Sequence, residues 1–343
     1  MNYISNNFDH QQQSRIGVLI TNLGTPDKPQ KEQLRTYLRQ FLSDPRVVEV
    51  PRLLWWLILN GIILNRRPKQ SAAAYSRIWT EAGSPLLLHT QDQANALQES
   101  LSARFGDNVI VDFGMRYGQP SIGKKLQSLL DRGVGKLLVL PLYPQYAGPT
   151  TASTFDAVTA DFTRRRWLPA FRFVSHYHDF PPYINALANK IRAHRVQHGA
   201  ADKLVFSFHG EPLSYREQGD PYYGECLETA QLVTEQLGIK EQDYLVTFQS
   251  RVHGKEWLRP YTDETLKALP GQGILSVQIL CPGFAADNLE TLEEIGVENR
   301  DYFLSAGGVQ YQYIPCLNSD VDHIDALTTL VTHHISGWSC EVS

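Results

Sequence analysis

A histidine at the end of an apolar segment is the first residue in this chain that could do chemistry. His209 follows residues 204–208, which are mostly apolar, aromatic or β-branched and predict a buried parallel strand. In open α/β sheets, ligands meet side chains at the carboxyl ends of the strands. A histidine placed there can exchange a proton near neutral pH or bind a metal ion. A purely structural histidine is the alternative, and position alone leaves both interpretations open.

A row of acidic residues forms a second candidate site in the same half of the chain. Glu290 and Glu294 are four residues apart, so one face of a helix carries both, and Asp287 precedes Glu290 by three residues. Asp287 is also a favourable residue to begin that helix. Repulsion within such a row raises the pKa of at least one carboxyl group. The row could bind a divalent cation or pass protons, although acids also suit the first turns of any helix.

Other strand ends carry arginine, which often holds a carboxylate or phosphate group. Arg116-Tyr117 ends one predicted strand, and Arg251 follows another shortly before Trp257. The sequence contains neither the glycine fingerprint of dinucleotide-binding folds nor a P-loop. These patterns therefore do not favour a nucleotide-binding function.

A pair of histidines flanks a tyrosine in the middle of the chain. In an extended chain, His176 and His178 would point to the same face, a spacing that suits a metal ion. Because no third ligand type lies near them in the sequence, we interpret the pair as structural.

The elements that must position these residues alternate along the chain. Amphipathic helical segments separate eight strand-like segments, at residues 16–23, 109–113, 136–142, 171–175, 204–208, 244–248, 273–280 and 311–314. Such alternation is typical of parallel, doubly wound sheets. Residues 137–148 and 274–285 also repeat one pattern of strand, proline, aromatic and small residues. We therefore predict an α/β fold of two similar doubly wound domains, with parallel sheets flanked by helices and a cleft between them.

The domain boundaries and the bulk composition narrow the function classes. We predict a disordered tail at 1–14, an N-terminal domain at 15–175, and a C-terminal domain at 176–343 that ends in a helix at 319–335. The tail lacks the basic and apolar regions of a secretory signal, so a cytoplasmic protein is expected. A net charge of −4 gives no electrostatic reason to expect nucleic acid as a partner. Four dispersed cysteines argue against a zinc site or a disulfide framework.

One apolar segment interrupts the alternation. Residues 53–64 are nearly all apolar and lie between Arg52 and Arg66-Arg67, but they are too short for the ~20 residues that span a bilayer. A core helix is one interpretation. Since the adjacent Trp55 and Trp56 cannot both face one side of a helix, an exposed flap over a flat ligand or a membrane surface fits at least as well.

In their order along the chain, these stretches resemble the ferrochelatase family, and within it the bacterial cytoplasmic branch. The resemblance runs from about residue 17 to 330 and is carried by NLGTP (22–26), LPLYPQY (140–146), SFHG (207–210), GDPY (219–222), TFQSR (247–251), Trp257, YTDET (261–265) and the segment 281–294. It implies a lyase that inserts ferrous iron into protoporphyrin IX in the last step of haem synthesis.

The resemblance also implies roles for individual residues. His209 and Glu290 would be the metal-binding and catalytic pair, with His209 taking protons from the pyrrole nitrogens, while Glu294 and Asp287 would relay protons or metal. The residues that match the porphyrin pocket, its entrance and a propionate contact are Leu23, Arg67, Tyr75, Ser84, Arg116, Tyr117 and Trp257. Residues 51–67 would form the lip of that pocket, with weak membrane contact through 53–64.

Two positions depart from the family pattern. Asn288 stands where many members carry histidine and some cysteine, and an amide cannot relay a proton. Animal members hold an iron–sulfur cluster through three C-terminal cysteines and an internal one, whereas this chain has only Cys340 in its tail and Gly148 at the internal position. We therefore predict no cluster and no tightly bound cofactor, with Fe²⁺ as a substrate.

Two alternatives stay open at this stage. The chain could be a chelatase for another tetrapyrrole, such as coproporphyrin, or for another metal such as cobalt. It could instead be a porphyrin or haem carrier without catalysis, which would keep residues 53–64 and Arg116 but would not need His209 with Glu290.

Overall fold

A computed structural model describes residues 3–5, 14–252 and 255–338 of the chain. The chain divides into two compact units. The first unit comprises Met1–Leu142, Gly148–Ser175 and Ile324–Ser343, and the second comprises Tyr143–Ala147 and His176–His323.

The first unit is built on a parallel sheet of four strands in the order β2-β1-β3-β4. The strands are β1 (Arg15–Thr25), β2 (Val109–Gly118), β3 (Val134–Pro141) and β4 (Ala170–Phe173). Its helices are α1 (Lys31–Leu42), α2 (Arg52–Ile58), α3 (Leu64–Ile78), α4 (Pro85–Phe105), α5 (Ile122–Asp131) and α6 (Ser153–Phe162).

The core of the first unit lies between this sheet and the helices that cross it. Leu19 and Val139 from the strands pack with Leu126 of α5 and Val158 of α6, and all four are fully buried. At the end of β1, Gly24 has φ of +109°, and a Cβ atom there would lie 1.8 Å from the carbonyl oxygen of Tyr117. Only glycine lets β1 end against β2 in this way.

The second unit repeats the same topology, with the strand order β6-β5-β7-β8 and parallel pairing throughout. The strands are β5 (Lys203–His209), β6 (Tyr244–Gln249), β7 (Ser276–Leu280) and β8 (Gln310–Tyr313). Its helices are α7 (Pro181–His198), α8 (Leu213–Glu217), α9 (Tyr222–Leu237), α10 (Thr262–Ala268) and α11 (Arg300–Ser305), and the last helix of the chain is α12 (Val321–Ile335).

The eight predicted strands are all present, and each occupies the predicted part of the chain within a few residues. The prediction of two similar doubly wound α/β units is therefore confirmed. The predicted cleft between them stays a prediction.

The ends of the chain are grouped differently from the predicted domains. From Ile324 onward α12 is part of the first unit, where Thr328 donates a hydrogen bond to Ser100 at 2.9 Å. Of the predicted tail, the structure describes only residues 3–5 and 14, and Ile4 forms a parallel bridge with Arg165. The rest of the tail and Cys340 lie outside the described residues.

Candidate active site

His209 ends β5, the strand at the centre of the second unit. Residues 204–208 are completely buried, whereas His209 is partly exposed. Its Nδ1 lies 2.7 Å from the carbonyl oxygen of Gly210, and this contact places a proton on Nδ1, so that Nε2 is the nitrogen with a lone pair when the ring is neutral. The Nε2 lone pair is thereby available to accept a proton or bind a metal ion.

The turn after His209 brings a tryptophan close to it. A Cβ atom on Gly210 would lie 2.7 Å from the carbonyl oxygen of Gln249 and 3.3 Å from the ring of Trp257, so this position requires glycine. Trp257 also forms an antiparallel bridge with Pro212. The structure therefore places Trp257 beside the turn that carries His209.

The acidic segment begins differently from the prediction. The residue that caps it is Asn288: its side-chain oxygen accepts a hydrogen bond from the Thr291 N–H, and the Thr291 hydroxyl oxygen accepts one from the Asn288 N–H, both at 3.0 Å. This reciprocal pair satisfies two backbone donors at the start of the helix. An amide therefore has a structural role at the position where the resemblance leads one to expect histidine.

Asp287 does not share an open acidic face with the glutamates. It is only 4% exposed, and its carboxylate accepts hydrogen bonds from Tyr313, the Cys316 N–H at 3.3 Å and Asn318 at 2.8 Å. We therefore correct the prediction that Asp287 begins the helix and lines one face with Glu290. Its oxygens are held mainly by β8 and the loop that follows, and one of them also accepts a hydrogen bond from the Thr291 hydroxyl at 3.1 Å.

Glu290 and Glu294 lie on a π-helical segment, Glu290–Asn299, rather than on an α-helix. In this segment Ile295 is completely buried and packs into the core with residues of β5 and β7. The Ile295 carbonyl oxygen accepts a hydrogen bond from Tyr311 at 2.7 Å, and the Glu294 carbonyl oxygen accepts one from Asn299 at 2.9 Å. Segments of this kind are rare and often occur at functional sites.

Gln249 connects the strand end of His209 with the π-helical segment. It pairs with His209 in the β5–β6 register, and its side-chain nitrogen donates to the Glu290 carbonyl oxygen at 3.2 Å. Its side-chain oxygen accepts a hydrogen bond from Ser207 at 2.7 Å. His209 and Glu290 are therefore both neighbours of one buried amide, which the sequence did not single out.

Glu294 is held by the residue after Gln249. The Ser250 N–H donates to one carboxylate oxygen at 2.8 Å, and the Ser250 hydroxyl donates to the other. Burial raises the pKa of Glu294 to about 7; the Ser250 hydrogen bonds oppose this shift, and the charge of Glu290 adds to it. Ser250 has φ of 64°, a left-handed conformation uncommon for residues other than glycine and often found at functional sites.

In the first unit, Arg116 and Tyr117 are part of a buried polar cluster around Asp44. The Asp44 carboxylate accepts hydrogen bonds from Arg116, from Tyr117 at 2.7 Å and from Ser153 at 2.6 Å. Tyr117 is only 2% exposed, so its ring lies beneath the surface and offers little area to a ligand. Asp44 and Ser153 carried no recognisable signal in the sequence.

The remaining predicted pocket residues of the first unit are spread over several elements. Leu23 is partly exposed on β1, Arg67 is exposed on α3, and Tyr75 is buried against Tyr37 and Trp79. Ser84 accepts a hydrogen bond from Thr25 at 2.8 Å and lines a cleft of about 520 Å³ together with Trp79.

The apolar segment at residues 53–64 forms α2, a π-helical turn (Leu59–Ile63) and the start of α3. Its outer face carries exposed Leu53, Leu54, Trp56, Leu57 and Ile62. Trp55 is not part of this exposed face: its indole N–H donates a part-buried hydrogen bond to the Leu42 carbonyl oxygen at 2.6 Å. The exposure of this segment is therefore as predicted, although Leu59 and Leu64 are buried, and its role as a flap over a ligand or a membrane stays a prediction. Among the described residues, no helix is both long and apolar enough to cross a bilayer.

Comparison with known sequences decides the family. The profile described as Ferrochelatase matches residues 15–335. A protein named ferrochelatase from Teredinibacter turnerae is 60% identical over 339 residues, which are 99% of this chain and 93% of that protein. Another of the same name, from Idiomarina loihiensis, is 59% identical over 97% of this chain and 92% of that protein. The chain belongs to the ferrochelatase family.

Solved structures agree with the ferrochelatase-family assignment at the level of the fold. SirB from Bacillus subtilis, whose structure contains Fe³⁺, superposes with a TM-score of 0.57 at 10% identity over 94% of this chain and 97% of that chain. The sirohydrochlorin chelatase SirB from Bacillus subtilis subspecies spizizenii, in complex with cobalt, gives 0.52 at 10% identity over 96% and 100%. At these identities the likeness shows a chelatase-like α/β fold and no more.

In this ferrochelatase-family chain, the structure brings together some of the predicted site residues. His209, Glu290, Glu294 and Trp257 lie around the ends of β5 and β6, linked through Gln249 and Ser250. Sequence reasoning missed Asp44 and Ser153, and it named Gln249 and Ser250 only as part of a motif, without a role, at the end of a strand. That motif, TFQSR, was the one signal that could have indicated Gln249 and Ser250.

Proposed function

We propose that this chain inserts ferrous iron into protoporphyrin IX to form protohaem, a lyase reaction and the final step of haem synthesis. The observation that carries the proposal is that the adjacent ends of β5 and β6 hold two groups that can handle protons, His209 on β5 and Glu294 through Ser250. His209 presents an Nε2 lone pair, and burial raises the pKa of Glu294 to about 7. Membership of the ferrochelatase family supports the choice of substrates.

The proton balance of the reaction explains why these residue types suit it. A neutral porphyrin loses two N–H protons when it takes up Fe²⁺, so two acceptors are needed close to the ring. The Nε2 atom of His209 accepts the first proton, and Glu294 is suited to the second because its pKa lies near the working pH. Glu290 contacts the incoming metal. A distorted porphyrin would expose its nitrogen lone pairs at a cost of about 1–5 kcal/mol.

The other residues that the family resemblance implies are proposed to bind the porphyrin rather than to transfer protons. The porphyrin contacts implied by the family resemblance stay proposals, at Leu23, Arg67, Tyr75, Ser84, Arg116, Tyr117 and Trp257. The buried positions of Tyr75 and Tyr117 make their contribution indirect, through the packing of neighbouring side chains. Asp287 acts by fixing the loop before the π-helical segment and is not proposed as a relay.

An anaerobic assay with purified protein tests the function. With Fe²⁺ and protoporphyrin IX, we expect the porphyrin fluorescence to decay and the absorption of haem to appear. Parallel reactions with coproporphyrin and with Co²⁺ separate the alternative substrates. If the protein binds porphyrin but forms no metalloporphyrin with either ring or either metal, it is a carrier and the proposal is wrong.

Ser250 gives a prediction about pH dependence. Ser250→Ala removes a donor that stabilises the charged form of Glu294, so the pKa of Glu294 should rise above about 7. Because the deprotonated carboxylate is the active form, the acid limb of the kcat/KM profile should move to higher pH. Ser214→Ala, on α8, is the control. An unchanged limb would show that Glu294 does not take part in the rate-determining proton transfer.

We also infer that the protein works in the cytoplasm with reversible contact to the membrane surface. Leu53, Trp56 and Leu57 are 78%, 60% and 55% exposed, next to Arg52. Exposed apolar side chains beside basic residues favour the interface of an anionic bilayer.

Co-sedimentation with phosphatidylglycerol vesicles tests the membrane contact. We expect weak binding that Trp56→Ser lowers several-fold, because an interfacial tryptophan is lost. Val309→Ser, which removes an apolar side chain that is 72% exposed outside the flap, should leave binding unchanged. If the wild type does not sediment with vesicles, the flap is only a wall of the proposed pocket.

A further inference from the structure

We propose that His176, His178 and Glu225 bind a divalent transition-metal ion, at a second site that shares no residue with the His209 region. The inference does not depend on the proposed function. The sequence left the two histidines as a structural pair because no third ligand was close to them in the chain. The fold supplies that third ligand from α9.

The three side chains already have the spacing of metal ligands. One potential ligand atom from each lies within 4.8 Å of the other two. The Nδ1 atom of His176 lies 3.5 Å from one Glu225 oxygen, and the Nδ1 atom of His178 lies 3.4 Å from the other. Two ligands at ~2.0–2.1 Å from a tetrahedral zinc ion are about 3.3–3.5 Å apart. Both nitrogen–oxygen distances therefore match those between two ligands of one metal ion, and the three ligand atoms have at most to close in from 4.8 Å.

The hydrogen bonds of His178 indicate which nitrogen faces the site. The His178 side chain is only 7% exposed, and its Nε2 lies 3.0 Å from a carboxylate oxygen of Glu228. If Nε2 carries the proton and donates to Glu228, Nδ1 carries a lone pair. A carboxylate behind a metal-binding histidine is the usual arrangement around such ions.

The Nδ1 atom of His178 is buried and has no hydrogen-bond partner among the described residues. It faces the Glu225 oxygen that already accepts the Tyr146 N–H at 2.6 Å. Two lone pairs that face each other at this distance repel, and a cation between them makes the contact attractive. With the proton on Nε2, the Nδ1 atom therefore lacks a favourable contact unless a cation is present, and this is the strongest sign that the cluster is built for an ion.

The surrounding structure holds the ligands in place and leaves one side open. Thr229 donates to the His178 carbonyl oxygen at 3.1 Å, which fixes the backbone of the histidine segment against α9. Glu225 and Glu228 are three residues apart and face the same way from that helix. His176 is 47% exposed, so an ion can enter from the solvent side.

The donor set selects the class of metal. Two imidazole nitrogens and one carboxylate oxygen suit Zn²⁺, Co²⁺, Ni²⁺ or Fe²⁺, whereas Mg²⁺ and Ca²⁺ prefer oxygen ligands only. The remaining coordination positions are left to water. We therefore expect an exchangeable transition-metal site that is half-open to solvent.

Zinc titration of the full-length chain, without porphyrin, tests the site. The chain is stripped with a chelator and carries His209→Ala and Glu290→Gln, so that zinc does not bind at the other candidate site. We expect one equivalent of Zn²⁺ by calorimetry, and Co²⁺ should give the visible absorption of a nitrogen-ligated ion. Adding Glu225→Gln, which keeps an acceptor for Tyr146, should weaken zinc binding by at least about 10-fold.

Further variants separate the site from general effects on folding. His176→Ala changes a half-exposed side chain and should also weaken binding at least about 10-fold, with an unchanged circular dichroism spectrum. His198→Ala, at the exposed end of α7, is the control and should not change the affinity. If the stripped chain binds no zinc, or if His176→Ala and Glu225→Gln bind it as tightly as their parent, the cluster is only an ion pair and the proposal is wrong.

Discussion

Replacing His209 by alanine is expected to lower the turnover number for haem formation by about 10²–10⁴-fold, the usual contribution of a positioned acid–base group. The reason is the orientation of the imidazole: with Nδ1 donating to the Gly210 carbonyl oxygen, Nε2 is the atom that we propose as the acceptor of a pyrrole proton. Porphyrin affinity should change little, because the proposed porphyrin contacts are made mainly by other residues. The KM for porphyrin should therefore stay close to that of the wild type.

Steady-state kinetics under anaerobic conditions, with kcat and KM measured separately for iron and porphyrin, checks this prediction. Glu290→Gln is a useful companion, because loss of a metal contact should raise the KM for Fe²⁺ more than that for porphyrin. If the two residues act together, the double variant should be no slower than the worse single variant. Full turnover by His209→Ala would remove the histidine from the mechanism while leaving the function intact.

The position of His209 could be predicted because its strand, β5, is buried on both faces. A parallel strand covered by helices is a continuous apolar run, so its last residue can be located in the sequence. Residues 204–208 and 244–248 were identified in this way and correspond to β5 and β6. The end of each run marks the sheet edge at which the candidate functional side chains lie.

Partners that come from remote segments could not be predicted. Asp287 has the spacing of a helix cap, but Tyr313 and Asn318 donate to its carboxylate, and neither could be connected with it from spacing alone. In the same way, Glu225 completes the cluster around His176 and His178. It lies on α9, and the whole of β5 separates it from the two histidines in the sequence. Spacing rules describe neighbours along one element, and these contacts join different elements.

The π-helical form of residues 290–299 could not be predicted for a similar reason. Glu290 and Glu294 satisfy the i, i+4 spacing of an α-helix, and nothing in the local sequence distinguishes the two forms. The tertiary contacts of this segment differ from those of a free helix: Ile295 is buried in the core, and Tyr311 donates to its carbonyl oxygen. Local propensity is a weak guide where packing and outside hydrogen bonds act on the same turn.

Asp44→Asn is expected to cost about 3 kcal/mol of the free energy of unfolding of the first unit, because it removes the charged partner of a buried cluster. The Asp44 side chain is only 3% exposed, and Arg116, which pairs with it, is 21% exposed. Without the carboxylate, Arg116 loses its charged partner and keeps neutral contacts, to the Ser153 carbonyl and hydroxyl oxygens at 2.9 and 2.7 Å and to the face of the Tyr117 ring. Urea unfolding followed by circular dichroism measures the difference.

A second aspartate–arginine pair serves as the matched control. The side chains of Asp156 and Arg46 are 42% and 46% exposed and form an ion pair at 2.8 Å, so Asp156→Asn should cost at most about 1 kcal/mol. Equal losses for the two variants would contradict the proposed importance of the buried cluster.

The stabilisation of the folded protein by Asp44 is expected to decrease as the pH falls. Burial acts to raise the pKa of Asp44, but hydrogen bonds from Ser153, Tyr117 and the Arg46 N–H, together with the charge of Arg116, hold it below its usual value. Ionised Asp44 therefore stabilises the folded state fully above the unfolded-state pKa of about 3.9, and this contribution is lost as the pH falls through the folded-state pKa. The stability difference between wild type and Asp44→Asn should thus be constant near neutral pH and shrink in acid. A difference that grows in acid would mean that Asp44 is protonated in the folded protein, and Arg116 would then lack a charged partner.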